Sequence, residues 1–281
     1  MPMTREDALS ADRIRQALAP SARALLQELS VLGETDSTNT VLARLPAERR
    51  HAHAVLAESQ TRGRGRWQRR WHSPAGGNIY LSLGWRFGPA PPQPTTLPLV
   101  AGIWVCRALE RAGLRNHGIK WPNDILVGSL KLAGILVETQ SAAGGAVIAV
   151  LGIGLNVRMP GGVAGVPAGT IDRPWTDLAA QLPAAPDRID RNALAALLLE
   201  ELLPGLERYA AEGFEPLREE WQRRDLLAGK RVGIAGNGPA PSGMARRGTA
   251  LGIAASGGLL VDIDGSGVQV LNAAEVSILD A

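Results

Sequence analysis

Between two apolar segments, His53–Ala57 and Asn78–Trp85, the chain packs five arginines into nine residues: Arg62, Arg64, Arg66, Arg69 and Arg70. Gly63 and Gly65 separate the first three, and Trp67 and Trp71 accompany the rest. The flanking segments read as strands, so the arginine loop is held at both ends by sheet. Arginine suits phosphate because its planar fork stays charged and donates in pairs. Glycine admits the backbone twist that turns successive N–H groups into an anion nest, and an indole face accepts a planar ring. Such a loop wants a nucleotide or a nucleic acid. Taken alone, it also fits a solvated basic loop or an RNA-binding Arg-Gly tract.

The rest of the chain narrows that choice. With 281 residues and 45% hydrophobics it can bury a sizeable core, and its length suits one large domain with a small one beside it. The formal charge is only +3, so the basic character is local and favours a focused anion site over a surface that coats nucleic acid. Cys106 is the sole cysteine and sits in an apolar segment, which excludes an intramolecular disulfide and a cysteine-based zinc cluster. No run of about eighteen apolar residues occurs, and Met1–Asp7 lacks the apolar core of a signal peptide. A soluble cytoplasmic protein without membrane contact is expected.

In chain order, Ser10 or Asp12 caps a short helix through Leu18 that Pro20 ends, and the apolar mixture Ala24–Leu32 follows. This front segment is too short for a winged-helix reading head, so DNA binding is not expected. Glu34–Asn39 carries a helix-start signal whose hydroxyls also offer polar contacts to a small ligand. Pro89–Pro98 reads as a surface crossing and Leu99–Leu114 as a buried helix. Ile119–Val127 and Leu130–Glu138 read as two strands about a turn at Gly128-Ser129, which brings Asp124 and Lys131 near one another. Pro122 leaves Asn123 and Asp124 on a bend that aims them into a pocket. A further strand, Ala146–Val157, holds Gly152 and Gly154, a sign of close approach by a ligand or another backbone. Met159–Pro186 reads as irregular connection with a short helix around Trp175–Gln181, and Arg191–Tyr209 and Phe214–Asp225 as amphipathic helices. From Lys230 onward, short strands separated by glycine turns predict a small all-β barrel, too small to be stable alone. The domain boundary is expected near Gly229, dividing residues 1–229 from 230–281.

Neither a dinucleotide fingerprint nor a Walker-type phosphate loop occurs. Instead the chain presents, in order, Asp36-Ser37-Thr38-Asn39, then Gln60 leading into Gly63-Arg64-Gly65-Arg66 with Arg69 and Trp71, then Lys120-Trp121-Pro122-Asn123-Asp124, Lys131-Leu132-Ala133-Gly134-Ile135-Leu136-Val137-Glu138 and Gly152-Ile153-Gly154-Leu155-Asn156. In these pieces and in the C-terminal β module the chain strongly resembles the biotin–protein ligases, enzymes that attach biotin to carboxylase carrier domains. The resemblance covers roughly residues 30 to 281, and its specificity lies in the order of the motifs. It implies an α/β (α+β) fold: a mixed-sheet catalytic domain of the biotin/lipoate-ligase kind followed by an SH3-like β-barrel, in the short form without an N-terminal DNA-binding domain.

The resemblance further implies biotin contacts from Ser37, Thr38, Asn39, Gln60, Gly63, Arg64, Gly65, Arg66 and Lys131, with Gly134 and Gly152 lining the cavity. Adenylate contacts are implied for Arg66, Arg69, Asn123, Lys131 and Asn156, with Trp71 as the adenine platform. The implied reaction uses ATP and Mg²⁺ to convert biotin into biotinyl-5′-adenylate, then transfers biotin to a lysine of a biotin carboxyl carrier domain of an acyl-CoA carboxylase. Arg64 and Lys131 would neutralise charge between carboxylate and triphosphate. Asp124 is the candidate to hold Mg²⁺, or to accept the proton of the carrier lysine. One departure stands out: where the family usually has glycine, this chain has Gln68 after Trp67, which costs the loop backbone freedom. A lipoate-type protein ligase and a nucleic-acid-binding module are the alternatives, and the sequence leaves monomer and homodimer equally open.

Overall fold

A computed structural model of the chain describes residues 8–88, 91, 93–159, 171, 173–182, 189–235 and 246–279. The larger sheet has seven strands: β1 (Glu28–Thr35), β2 (His53–Gln60), β3 (Ile79–Phe87), β4 (Gly118–Lys120), β5 (Asp124–Val127), β6 (Leu130–Ser141) and β7 (Val147–Leu155). They lie in the order β1-β2-β3-β7-β6-β5-β4. The β1–β2 pair is parallel and the other neighbours are antiparallel, so the sheet is mixed as expected.

Alternation along the strands decides which face carries the site. On β3, Ile79, Leu81, Leu83 and Trp85 join the main core, which turns Tyr80 and Ser82 to the opposite face. On β7, Ala149, Leu151, Ile153 and Leu155 do the same, leaving Val150, Gly152 and Gly154 on that opposite face. The core face is covered by α4 (Leu97–Arg111) and α6 (Arg191–Glu212), with α1 (Ala11–Ala17) and α2 (Pro20–Leu25) packed on α6. Helix α4 carries buried side chains almost all round, Cys106 and Trp104 among them. Each of its buried aliphatic side chains, Leu99 and Ile103 among them, contributes about 1.5–3 kcal/mol by leaving water. The other face is met by the short α3 (Thr38–Arg44), whose Leu42 packs with Val55 and Val150 in a small cluster of its own. The rest of that face, over β6 and β7, is left to the arginine loop.

Some boundaries differ from the sequence reading. Leu18 already caps α1, and Pro20 opens α2, where a residue without an N–H loses no hydrogen bond. Strand β1 runs through Glu34 and Thr35, so the helix start falls on Ser37. Phe214–Asp225 is one 3₁₀ turn followed by α7 (Arg218–Arg224). The expected irregular connection Met159–Pro186 lies mostly outside the described residues; within it, Asp177 caps α5 (Leu178–Gln181) by accepting from the Ala180 N–H.

A second, antiparallel sheet follows, with β8 (Arg231–Ala235), β9 (Arg246–Ile253), β10 (Leu259–Ile263), β11 (Gly267–Leu271) and β12 (Glu275–Ile278) in the order β11-β10-β9-β8-β12. Its Val232, Ile234, Leu259 and Val261 belong to the same buried cluster as the main core. Trp121 Nε1 donates to the Gly257 carbonyl at 3.0 Å, tying the Lys-Trp-Pro-Asn-Asp bend to this second sheet. Among the described residues no helix is long and apolar enough to cross a membrane.

Candidate active site

The floor of the site is made of glycines. Strands β6 and β7 pair Gly134 with Gly154 and Leu136 with Gly152. The Trp71 indole covers the first pair: a Cβ at position 154 would stand 2.4 Å from its Cε2, and one at position 134 would stand 3.0 Å from its Cζ3. A Cβ at position 152 would meet Asn39 Oδ1 at 2.3 Å. Glycine therefore lets a ring and a carboxamide lie directly on the sheet backbone. Trp71 Nε1 is buried and has no hydrogen-bond partner, a condition that costs about 1–3 kcal/mol. Lys131 Nζ lies 5.1 Å from the Trp71 ring centroid, within cation–π range.

One wall is a network of polar groups, uncharged except for the Glu138–Arg64 pair at its edge. Ser37 is the N-cap of α3 but its side chain makes no capping bond; the Thr38 N–H donates instead to Gln60 Oε1 at 3.0 Å. Gln60 Nε2 in turn donates to Ser73 Oγ at 2.9 Å. Ser82 Oγ donates to Asn39 Oδ1 at 2.5 Å and lies 2.7 Å from Thr38 Oγ1. Asn39 Nδ2 donates to Glu138 Oε2 at 2.7 Å, and Arg64 Nη2 reaches the same oxygen at 2.9 Å.

The other end of the cavity is ionic. Lys131 Nζ and Asp124 Oδ1 are 2.7 Å apart, the pair that the hairpin reading brings together, and Arg173 stands 3.7 Å from the other oxygen of Asp124. Lys120, the cross-strand partner of Asp124, lines the same cavity. Burial pulls its ammonium down to about 8, against the attraction of Asp124. Arg69 donates to Glu275 Oε1 at 2.9 Å, and Arg173 pairs with the same carboxylate. Burial also lowers the Arg66 guanidinium, which stands 5.2 Å from the Trp67 ring centroid. Cations outnumber carboxylates here, and a cleft of that kind attracts a polyanion.

Every residue expected in the biotin or adenylate contacts lines this one cavity, with the exception of Gly63. Gly63 closes the base of the loop: its carbonyl accepts from the Trp71 N–H at 2.9 Å, and a Cβ there would meet Ser73 Oγ at 2.6 Å. Two of the lining amides hold backbone. Asn123 Nδ2 donates to the Ile135 carbonyl at 2.7 Å, and Asn156 Nδ2 to the Thr176 carbonyl at 3.0 Å. Trp67 and Gln68 both adopt left-handed backbone, at φ 58° and 59°, which costs about 1–2 kcal/mol for each residue carrying a Cβ. The departure from glycine at Gln68 is thus a strained one.

The sequence reading does not assign Lys120, Arg173 and Glu275 to the site. It reads Gly154 with Gly152 as a sign of close approach by a ligand or another backbone, and the Trp71 indole supplies that approach. Arg173 and Glu275 carried no pattern: the first sits in the irregular connection, the second on a four-residue strand. As for a metal, among the described residues no group of three or more His, Cys, Asp or Glu could hold one, and Asp124 is already engaged by Lys131 and Arg173. The donor set does not fit a resident metal ion.

Fold and site together define an α/β protein with a polar, glycine-floored pocket that opens onto a cationic end. The family model described as the Biotin/lipoate A/B protein ligase family matches residues 32–156. The chain is 36% identical over 237 residues to the bifunctional ligase/repressor BirA of Escherichia coli K12, covering 84% of this chain and 70% of that protein. It is 34% identical over 250 residues to the biotin–[acetyl-CoA-carboxylase] ligase of Mycobacterium tuberculosis, covering 87% and 86%. The structure of biotin protein ligase from Aquifex aeolicus in complex with biotin and ATP superposes with a TM-score of 0.71 at 26% identity, over 91% of this chain and 100% of that one. The chain belongs to the biotin–protein ligases.

Proposed function

We propose that the protein activates biotin with ATP to biotinyl-5′-adenylate, releasing pyrophosphate, and then transfers the biotinyl group to a lysine of a biotin carboxyl carrier domain. The observation that carries this reading is the convergence of the arginine loop and the Lys131–Asp124 pair on one glycine-floored cavity. The amide and hydroxyl wall of Thr38, Asn39 and Gln60 suits the uncharged ureido ring of biotin, whose carboxylate then extends toward Lys131. The cationic end formed by Lys120, Arg66, Arg69 and Arg173 suits the phosphates.

In the first half-reaction a biotin carboxylate oxygen bonds to the α-phosphorus of ATP while the bond to pyrophosphate breaks. Lys131 neutralises the approaching anions, and the arginines hold the leaving charge in line. Mg²⁺ carried on the triphosphate would neutralise further charge there. The mixed anhydride is labile, and the arginine loop lying over the floor excludes water from it. In the second half-reaction the deprotonated carrier lysine attacks the acyl carbon and AMP leaves; Asp124 is the acceptor we assign to the lysine proton.

We divide the chain at Gly229 into a catalytic domain and a small β domain that lends Glu275 to the cavity. The acceptor is the carrier domain of a cytoplasmic acyl-CoA carboxylase, met by the basic rim through complementary charge. The test is to incubate the protein with ATP, Mg²⁺, biotin and such a carrier domain and read the carrier's intact mass. One biotinyl group on one lysine is expected, and lipoate in place of biotin should add nothing. An unmodified carrier, or equal modification by lipoate, would overturn the reading.

A further inference from the structure

Glu138 stands on β6 two positions beyond Leu136, on the face that carries the site, and it does not itself line the cavity. One of its carboxylate oxygens nevertheless gathers two donors of different kinds: Asn39 Nδ2 at 2.7 Å and Arg64 Nη2 at 2.9 Å. Asn39 is fixed. It is 3% exposed, its Oδ1 accepts from Ser82, and its carboxamide lies against the bare backbone of Gly152. Arg64 belongs to the loop, whose backbone is tied at its base to the segment ahead of α3, the Arg62 N–H donating to the Asp36 carbonyl at 2.9 Å, and closes on itself beyond that, from the Trp71 N–H to the Gly63 carbonyl and from the Gly65 N–H to the Arg69 carbonyl.

We propose that Glu138 is a positioning residue that latches the arginine loop to helix α3 and thereby sets the biotin side of the cavity; this rests on the ligase reading given above. Beyond its base, the loop's arginines are bound by two carboxylates: Arg64 by Glu138 on the main sheet, and Arg69 by Glu275 on the second sheet. The Asn39 amide aims the Glu138 oxygen, and the oxygen aims the guanidinium. Without the carboxylate, the buried Asn39 Nδ2 loses its acceptor and the part of the loop beyond Arg62 loses its side-chain tie to α3. Biotin must then order the loop as it binds, which weakens its binding. The phosphate end, held by Glu275 and Asp124, keeps its geometry. A role in fold stability alone would not separate the two substrates.

The test uses the full chain with Glu138→Ala and Glu138→Gln, and has two readouts. In pyrophosphate exchange, Glu138→Ala raises the KM for biotin about tenfold, the equivalent of one charge-assisted hydrogen bond, while the KM for ATP stays within about twofold. Glu138→Gln, which keeps an acceptor for Asn39 but gives Arg64 no charge, falls between, and it carries the test should Glu138→Ala not fold. Independently, limited trypsin cleavage after the loop arginines without ligand reports the open population, and it quickens several-fold in both variants. Unchanged cleavage overturns the latch, and so does faster cleavage with an unaltered or equally altered pair of KM values. A wild-type protein that shows no biotin-dependent exchange overturns the ligase reading instead, and the cleavage rates still decide the latch.

Discussion

The Trp71 indole lies directly on the backbone of Gly154, so close that any Cβ at that position would fall 2.4 Å from its Cε2. Adding that methyl, as in Gly154→Ala, must lift the ring, and overpacking of this kind costs about 1–3 kcal/mol. The variant is expected to fold with a lowered Tm and to lose most of its adenylation rate. The indole also holds a buried N–H without a partner, so bound ligands should move it. Biotin with ATP is expected to alter tryptophan emission in the wild type, and Trp71→Phe should remove most of that change.

Gln68 follows Trp67 in left-handed backbone, at φ 59° after 58°. Glycine at this position adopts the same twist without a Cβ clash. Gln68→Gly should therefore relieve about 1 kcal/mol of strain, less what the more flexible unfolded chain takes back. The expected outcome is an unchanged or slightly raised Tm with a lower KM for ATP, since Arg66 and Arg69 flank the strained pair. A raised KM would show that the strained geometry holds those arginines in place.

Lys120 gives the site a signed pH dependence. Its ammonium is lowered from 10.5 to about 8. Below pH 8 folded and unfolded chains both carry the proton, and the cost of burying the charge is present in full. Between pH 8 and 10.5 the unfolded chain holds more of the proton, so stability rises with pH through that window. Lys120→Met should accordingly be more stable at pH 7, by at most about 3 kcal/mol, with the gain fading toward pH 10.5 in denaturant titrations. Its KM for ATP should rise. In the wild type, phosphates draw the proton back, so ATP binding at pH 8 should take up part of a proton, measurable by calorimetry in two buffers.

Glu275 makes the second sheet part of the site. It binds Arg69 and Arg173 at once, so Glu275→Ala frees two arginines that the phosphates use. The KM for ATP is expected to rise about tenfold, in line with the loss of a charge-assisted contact, while the KM for biotin stays near the wild-type value. Biotin and ATP affected alike would argue that β12 merely packs.

What could be read from the residues was what local chemistry dictates. The Asp124–Lys131 pair followed from a hairpin with a two-residue turn, and the gathering of the arginine loop on the sheet followed from the strands that hold its ends. The arginines, once placed, turn out to face carboxylates and the cavity: Arg64 meets Glu138 and Arg69 meets Glu275. That disposition fits a small polyanion better than a nucleic-acid surface. What was not legible came from far along the chain. Glu275 lies on a strand too short to alternate, Arg173 in a segment without periodicity, and the lodging of Asn39 against Gly152 depends on a contact between residues more than a hundred apart. Pro20 misled for a different reason, since the same residue that ends one helix can begin the next.

The central claim, that this cavity adenylates biotin, is tested most directly by biotin-dependent exchange of labelled pyrophosphate into ATP with Mg²⁺, run beside lipoate and repeated with Lys131→Ala. Exchange with biotin and not with lipoate is expected, with a loss of about a hundredfold or more when the ammonium that neutralises the reacting anions is removed. No exchange with biotin, or wild-type exchange in Lys131→Ala, would contradict the account.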